Sequence, residues 1–382
     1  MNQKELNELR RRFRLDRTGF NRVYGCFVNG NKEIVSDLDE SFGYMPEAEA
    51  ERYLGLLKKV LSGRLGKNLI DIVFSTQQVM EGEEHKLLSA LRDSELKDRE
   101  TRTAFYQKVI DQLDMEGGNY LLLMSHERYD VPHRGGDDEL QPDASDQTFS
   151  YFVCGVYPVK EGKAELGYFP QENEFHNLAA GQIVCPPELG FLFPAFDDRA
   201  ANIYNALYYT RRPDQLHQEF IDAVFHTDPP MSAGEQKMAF ETALCEGLED
   251  QCSMEVLQAI HERIHDQLQE RKDPEPPTLT PADVGMILAD QGVERERIAA
   301  FQEKCGEEFG ENAVLNPENL IDPGKFQVKT EQITVSVDPE FSYLVETCMI
   351  DGKKYIMIPV GKGVEVNGLA VNVSATQTEE LS

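Results

Sequence analysis

No two cysteines in this chain are spaced C-x-x-C, no run of about 18 apolar residues occurs, and no apolar stretch follows the charged segment from Met1 to Leu15. The first absence excludes a cysteine zinc knuckle, and the other two argue against a spanning helix and a secretion signal. The seven cysteines (Cys26, Cys154, Cys185, Cys245, Cys252, Cys305 and Cys348) are odd in number and scattered. They read as reduced, mostly buried thiols of a cytoplasmic protein, not as a disulfide frame. In that compartment the Asn372-Val373-Ser374 sequon receives no glycan.

Positive charge is also scarce. Lys and Arg number 38 against 68 Asp and Glu, so the formal net charge is -30 and the pI is near 4.6. Such a field repels phosphate, and no direct nucleic-acid binding and no membrane association are expected. The one basic stretch (Lys4, Arg10, Arg11, Arg12, Arg14, Arg17) is opposed by Glu5, Glu8 and Asp16 and reads as an amphipathic helix.

Hydrophobic residues at 40% and charged residues at 28% are enough for folded cores. At about 150 residues per domain, 382 residues suggest two or three units. The strands 22–28 and 32–36 flank Asn29-Gly30-Asn31 and predict a hairpin. Pro46 opens a helix that runs to Gly63. A strand at 68–74, helices near 83–92 and 99–113, and a strand at 119–125 follow. Residues 130–146 show no periodicity and read as a loop. Strands are then expected at 149–159, 164–169 and 189–196, because these segments are rich in aromatic and β-branched residues. The fold class is therefore α+β. A mixed-sheet α/β domain is expected over 1–211, a helical segment over 212–272 and a linker at 273–278. A helical pair over 279–321 and a small antiparallel β unit over 322–375 complete the scheme. Capping boxes are expected at Ser232/Glu235 and Thr280/Asp283, and a tight turn at Asp351-Gly352.

Four stretches carry a resemblance: Val23-Tyr-Gly-Cys-Phe-Val-Asn29, Gly66-Lys-Asn-Leu-Ile-Asp71, Phe191 through Thr210, and Val364-Glu-Val-Asn-Gly368. Together they resemble the bacterial family known as domain of unknown function 4317, over nearly the whole chain. The resemblance implies a bacterial, Gram-positive, cytoplasmic protein and assigns no catalytic residue. A looser likeness, of architecture alone, is to nucleoid-associated proteins of about 37 kDa.

Three sequences bear on chemistry. His261-Glu262-Arg263-Ile264-His265 spells H-E-x-x-H on a helix, where i, i+4 spacing puts both imidazoles on one face with Glu262 as a base beside them. A third zinc ligand is missing locally and would have to be Glu294 or Glu296. The simpler reading puts His261 and His265 on the solvated side of a helix whose core face is Val256, Leu257, Ile260, Ile264 and Leu268. Gly63-Arg-Leu-Gly-Lys-Asn68 lacks the first glycine and the Ser/Thr of a phosphate loop. The carboxylates Asp137, Asp138, Glu139, Asp143 and Asp146 lack EF-hand spacing.

The stretch Phe191 to Thr210 is densest in unusual residues. Asp197-Asp198-Arg199 suits a helix N-terminus, and the tyrosines suit packing. Tyrosine and arginine also anchor interfaces. Asp197, Asp198, Arg199, Asn202, Tyr204 and Tyr208, beside Asn205 and Tyr209, are thus the leading candidates for a binding surface, with His176 a weaker neighbour. The reading is an intracellular binding or scaffolding protein without catalytic activity, nucleoid-associated by the analogy above. It has a protein partner and no cofactor. A zinc-dependent metallopeptidase using His261, Glu262 and His265 is the alternative.

Overall fold

Between Tyr151 and Tyr157 every residue except Gly155 is a fully buried apolar or aromatic side chain. Tyr151, Val153 and Tyr157 pack into one core, and Phe152, Cys154 and Val156 into another. A strand reads this way when both of its faces are covered. The computed structural model describes residues 1–134, 140–178, 181–228, 230–269, 278–310, 313–322, 324–361 and 363–372. The chain divides into two compact units, the first being Met1–Gln236 and the second the described residues that follow.

The first unit contains, in chain order, α1 (Gln3–Arg10), β1 (Arg22–Val28), β2 (Ile34–Ser41), α2 (Glu47–Lys59), β3 (Leu69–Val73), α3 (Thr76–Glu81), α4 (Glu83–Asp93) and α5 (Arg99–Gln112). The long strands β4 (Asn119–Arg134) and β5 (Leu140–Glu161) follow. Next come β6 (Glu165–Phe169), β7 (Glu174–Leu178), β8 (Gln182–Val184), β9 (Leu189–Phe193), β10 (Ala195–Asp197), β11 (Ala200–Asn202), β12 (Asn205–Thr210) and α6 (Gln218–Phe225). The main sheet has the order β2-β1-β4-β5-β9-β12-β3, with β8 paired to β5. All its ladders are antiparallel, including those on either side of a helix. Leu88, Leu91, Phe105, Val109, Phe220 and Phe225 from α4, α5 and α6 pack against one face. Leu6, Leu9, Leu54 and Leu57 from α1 and α2 pack against the other.

The loop expected over 130–146 is shorter than its composition suggested. Strand β4 continues to Arg134 and β5 begins at Leu140, because backbone pairing needs no apolar alternation. Residues 135–139 lie outside the described residues, and so do the side chains of the acidic cluster from Asp137 to Asp146. The linker residues 273–277 are outside them too.

The second unit contains α7 (Ala233–Leu248, whose first turn belongs to the first unit), α8 (Met254–Gln269), α9 (Pro281–Asp290), α10 (Arg295–Phe309) and α11 (Pro317–Leu320). Strands β13 (Phe326–Lys329), β14 (Thr334–Val337), β15 (Glu346–Ile350), β16 (Lys353–Met357), β17 (Val364–Val366) and β18 (Leu369–Val371) follow. Both expected capping boxes form: Ser232 and Glu235 exchange bonds of 2.7 and 3.1 Å, and Thr280 and Asp283 bonds of 2.8 and 3.2 Å. Phe240, Leu244, Ile260, Ile264, Leu288 and Phe301 form the core. Gly247 lets α7 reach α10, since a Cβ there would lie 2.5 Å from the Cα of Phe301. The C-terminal strands form three separate two-stranded ladders. In the β15–β16 turn Asp351 and Gly352 both have positive φ, as a tight hairpin requires.

Candidate functional site

The turn that the sequence marked as a surface is bound into the first unit. Asp198 and Arg199 do not start a helix. They are the two central residues of the β10–β11 hairpin, both at positive φ. The Arg199 guanidinium donates to Glu8 Oε2 at 2.5 Å and to the Pro132 carbonyl at 2.9 Å, while its backbone N–H donates to Glu5 Oε1 at 3.2 Å. Asp197 pairs with the Met1 amino group and accepts from Asn202 Nδ2 at 2.9 Å, and Asn202 also donates to Asn205. Tyr208 is fully buried, with its hydroxyl donating to the Leu216 carbonyl at 2.7 Å; Tyr209 is buried as well. Tyr204 alone among these tyrosines is exposed, and His176 sits on β7 against Glu172.

A second web secures the same N-terminal segment. Glu127, with no exposed surface, accepts from Arg12 at 2.6 and 2.9 Å, from the Gly19 N–H at 2.7 Å and from the Tyr151 hydroxyl at 2.5 Å. Burial and the Glu127 carboxylate together push the Tyr151 hydroxyl well above its ordinary range. Arg10 donates to the Leu61 and Gly63 carbonyls, and Arg14 and Arg17 pair with Asp16. Most of the basic stretch is thus engaged within the fold. All seven cysteines are free; Cys26, Cys154 and Cys305 are buried, which pushes the Cys26 and Cys305 thiols up to about 12 and suits packing rather than nucleophilic attack.

The H-E-x-x-H helix is α8, and its histidines correct the expectation of a wet face. His261 is 7% exposed and His265 9% exposed. They lie beside Ile260 and Ile264 on the inner arc, and Asp322 and Phe326, distant in the sequence, cover His261, so the buried stripe of α8 is wider than its aliphatic residues alone define. His261 Nε2 lies 3.0 Å from the Asp322 carbonyl, and its ring meets Phe326 edge-on at 5.4 Å. A carbonyl only accepts, so Nε2 carries the proton and has no lone pair for a metal. Burial also holds the His261 imidazole below its ordinary pKa. Among the described residues, no group of three or more His, Cys, Asp or Glu is placed to hold a metal ion.

Glu262 is rotated out of that arc into a groove. One section, of about 540 Å³, runs between α8 and α9 and is lined by Ala259, Glu262, Arg263, Asp266, Gln267, Leu279, Asp283, Met286, Ile287, Asp290 and Gln291. A neighbouring section of about 380 Å³ shares Ala259, Glu262 and Gln291 and adds Glu255, Gln258, Tyr343, Val345, Glu346 and Thr347. The segment after β14 forms its wall: Gln258 donates to the Ser342 and Val345 carbonyls at 2.8 and 2.9 Å, and Ser342 Oγ donates to Glu262 at 3.2 Å. Among the described residues, Glu255, Glu262, Asp266, Asp283, Asp290 and Glu346 thus share the lining with one cation, Arg263, beside exposed Met286 and Tyr343. Hydrogen bonds from the Glu255 N–H, Ser253 and Thr347 lower the Glu255 pKa, and Thr280 lowers that of Asp283, so both are ionised at neutral pH. The sequence carried these acids, but only the packing of α9 against α8 gathers them.

The chain belongs to the family described as domain of unknown function (DUF4317), whose model matches residues 1–369. A comparison with curated proteins finds no match. No helix among the described residues is long and apolar enough to cross a membrane.

Proposed function

Starting from that membership, we propose that this is an intracellular binding or scaffolding protein without catalytic activity, and that its α8 groove takes a cationic, amphipathic segment of a protein partner. The observation that carries this reading is the lining of the groove: among the described residues, six carboxylates and one guanidinium stand beside Leu279, Met286, Ile287 and Tyr343. A concave surface of one sign raises the local concentration of opposite charge. Met286 and Tyr343 offer adaptable apolar contact that a purely ionic site lacks. The 16 residues of α8 span about 24 Å, which accommodates several turns of a helix laid alongside.

The same charge supports no direct contact with duplex DNA, since the basic stretch near the N-terminus is largely tied to Glu127, Asp16 and backbone carbonyls. A nucleoid-associated role would then run through a basic protein. The peptidase alternative gains no support from a helix whose His261 Nε2 is already donating.

The test is parallel affinity capture from the native host by the full chain and by its Asp266→Lys, Asp290→Lys variant, with mass-spectrometric identification. A protein with a basic amphipathic segment, retained by the wild type and lost by the variant, is the expected result. Identical catches from the two baits would remove the groove from the function.

A further inference from the structure

On the first unit, the ladder between β5 and β8 does not end at the sheet. Val159, Lys160 and Glu161 pair with Val184, Ile183 and Gln182, the Gly162 N–H donates to the Gly181 carbonyl at 2.6 Å, and β6 and β7 pair beyond it. The result is a two-stranded arm. Directly opposed residues share a face, so Leu166 and Tyr168 lie on the same side as Phe175. These three are 71%, 48% and 65% exposed, and Phe169 on the other face is 37% exposed. Two strands alone are marginal in water, and an aromatic face left open on them calls for cover.

At the root of the arm lies an apolar groove of about 890 Å³. Tyr53 and Leu56 of α2 form one wall, and Leu121 of β4 with Ile183 and Val184 of β8 form the other. Arg52 and Lys59 stand on its rim, opposed there by Glu49. The arm carries the complementary charge near its tip, where Glu172 and Glu174 flank His176. Local positive charge is scarce on a chain of net charge -30, and here it adjoins a hydrophobic cleft.

We propose that the protein forms a two-fold dimer in which the β6–β7 arm of each copy lies in the α2–β8 groove of the other. Because β8 both leads out of the arm and lines the groove, an arm reaching the partner's groove brings the partner's arm back to its own. The contact is isologous and closes at two copies. Tyr168 and Phe175, which share the open face, are 48% and 65% exposed. At about 150–250 Å² per ring, two arms and the walls they cover come to roughly 700–1,100 Å², and Leu166, 71% exposed on the same face, adds to this. The sum reaches the lower bound of a specific interface, near 1,000 Å². The dimer uses neither α8 nor its carboxylates, and so stands independently of the function proposed above.

Light scattering and sedimentation equilibrium on the full chain at micromolar concentration test this. The wild type is expected to be a dimer, and Phe175→Asp is expected to weaken it by at least about tenfold. Residue 175 is exposed, so an unchanged circular dichroism spectrum separates dissociation from misfolding. Lys59→Glu should also weaken the dimer, and adding Glu174→Lys to the same chain should restore it. A monomeric wild type, or a dimer indifferent to both Phe175→Asp and Lys59→Glu, overturns the proposal.

Discussion

The two units place their charged residues differently. In the first, buried charge is matched group by group: Glu127 meets Arg12, Gly19 and Tyr151, and Glu8 meets Arg199 and Tyr129. In the second, α8 turns its histidines inward and leaves Glu262, Arg263 and Asp266 lining an open groove. An arginine or carboxylate that closes a fold internally is unavailable to a partner, however suggestive its position in the sequence. The candidate surface is therefore better sought where packing leaves charge unmatched.

The largest test of this contrast is Glu127→Ala. It leaves the Gly19 N–H and the Tyr151 hydroxyl without their buried acceptor and Arg12 without its counter-charge. A loss of about 3–5 kcal/mol in urea unfolding is expected. A loss below about 1 kcal/mol would mean that the web does not hold the first unit together.

Acidification comes next. Burial holds the His126 imidazole down to about 4, against 6.5 for the free group. As pH falls below 6.5 the unfolded chain takes up this proton before the folded one does. Stability is therefore fully present above 6.5 and lost as pH drops toward 4, by roughly 3 kcal/mol. Unfolding followed across that window should be flatter in His126→Gln than in the wild type. Parallel profiles would show that His126 is not held neutral.

The smallest effect belongs to the second unit. His261→Ala removes a hydrogen bond to the Asp322 carbonyl and an edge contact with Phe326, for a cost of about 1–3 kcal/mol. A solvated histidine would cost within about half a kcal/mol. Metal analysis of protein purified without a histidine tag should find far less than one zinc per chain. Stoichiometric zinc lost in the variant would reverse the reading of α8.

Much of the framework was legible because its causes are local. Ser232 with Glu235 and Thr280 with Asp283 mark helix starts, since a cap needs only neighbouring side chains. Asp351-Gly352 marks a hairpin because only certain residues adopt two successive positive φ angles. The error at Asp197-Asp198-Arg199 arose because acidic residues suit both a helix start and a tight turn. Local preference does not choose between them; the strand partners Ala195 and Asn202 do. The loop expected over 130–146 failed for a similar reason, since β4 and β5 pair through backbone groups that composition does not reveal.

By itself the sequence determined the α+β class, the order of most helices and strands, the family resemblance, and the i, i+4 alignment of His261 and His265. Those depend on residues within a few turns of one another, or on composition. Tertiary structure alone decided that this histidine face points inward, that Arg199 clamps α1, and that carboxylates from α8, α9 and the start of β15 share one groove. The physical reason is that helical periodicity fixes which side chains share a face, whereas the direction of that face depends on what distant segments bury against it.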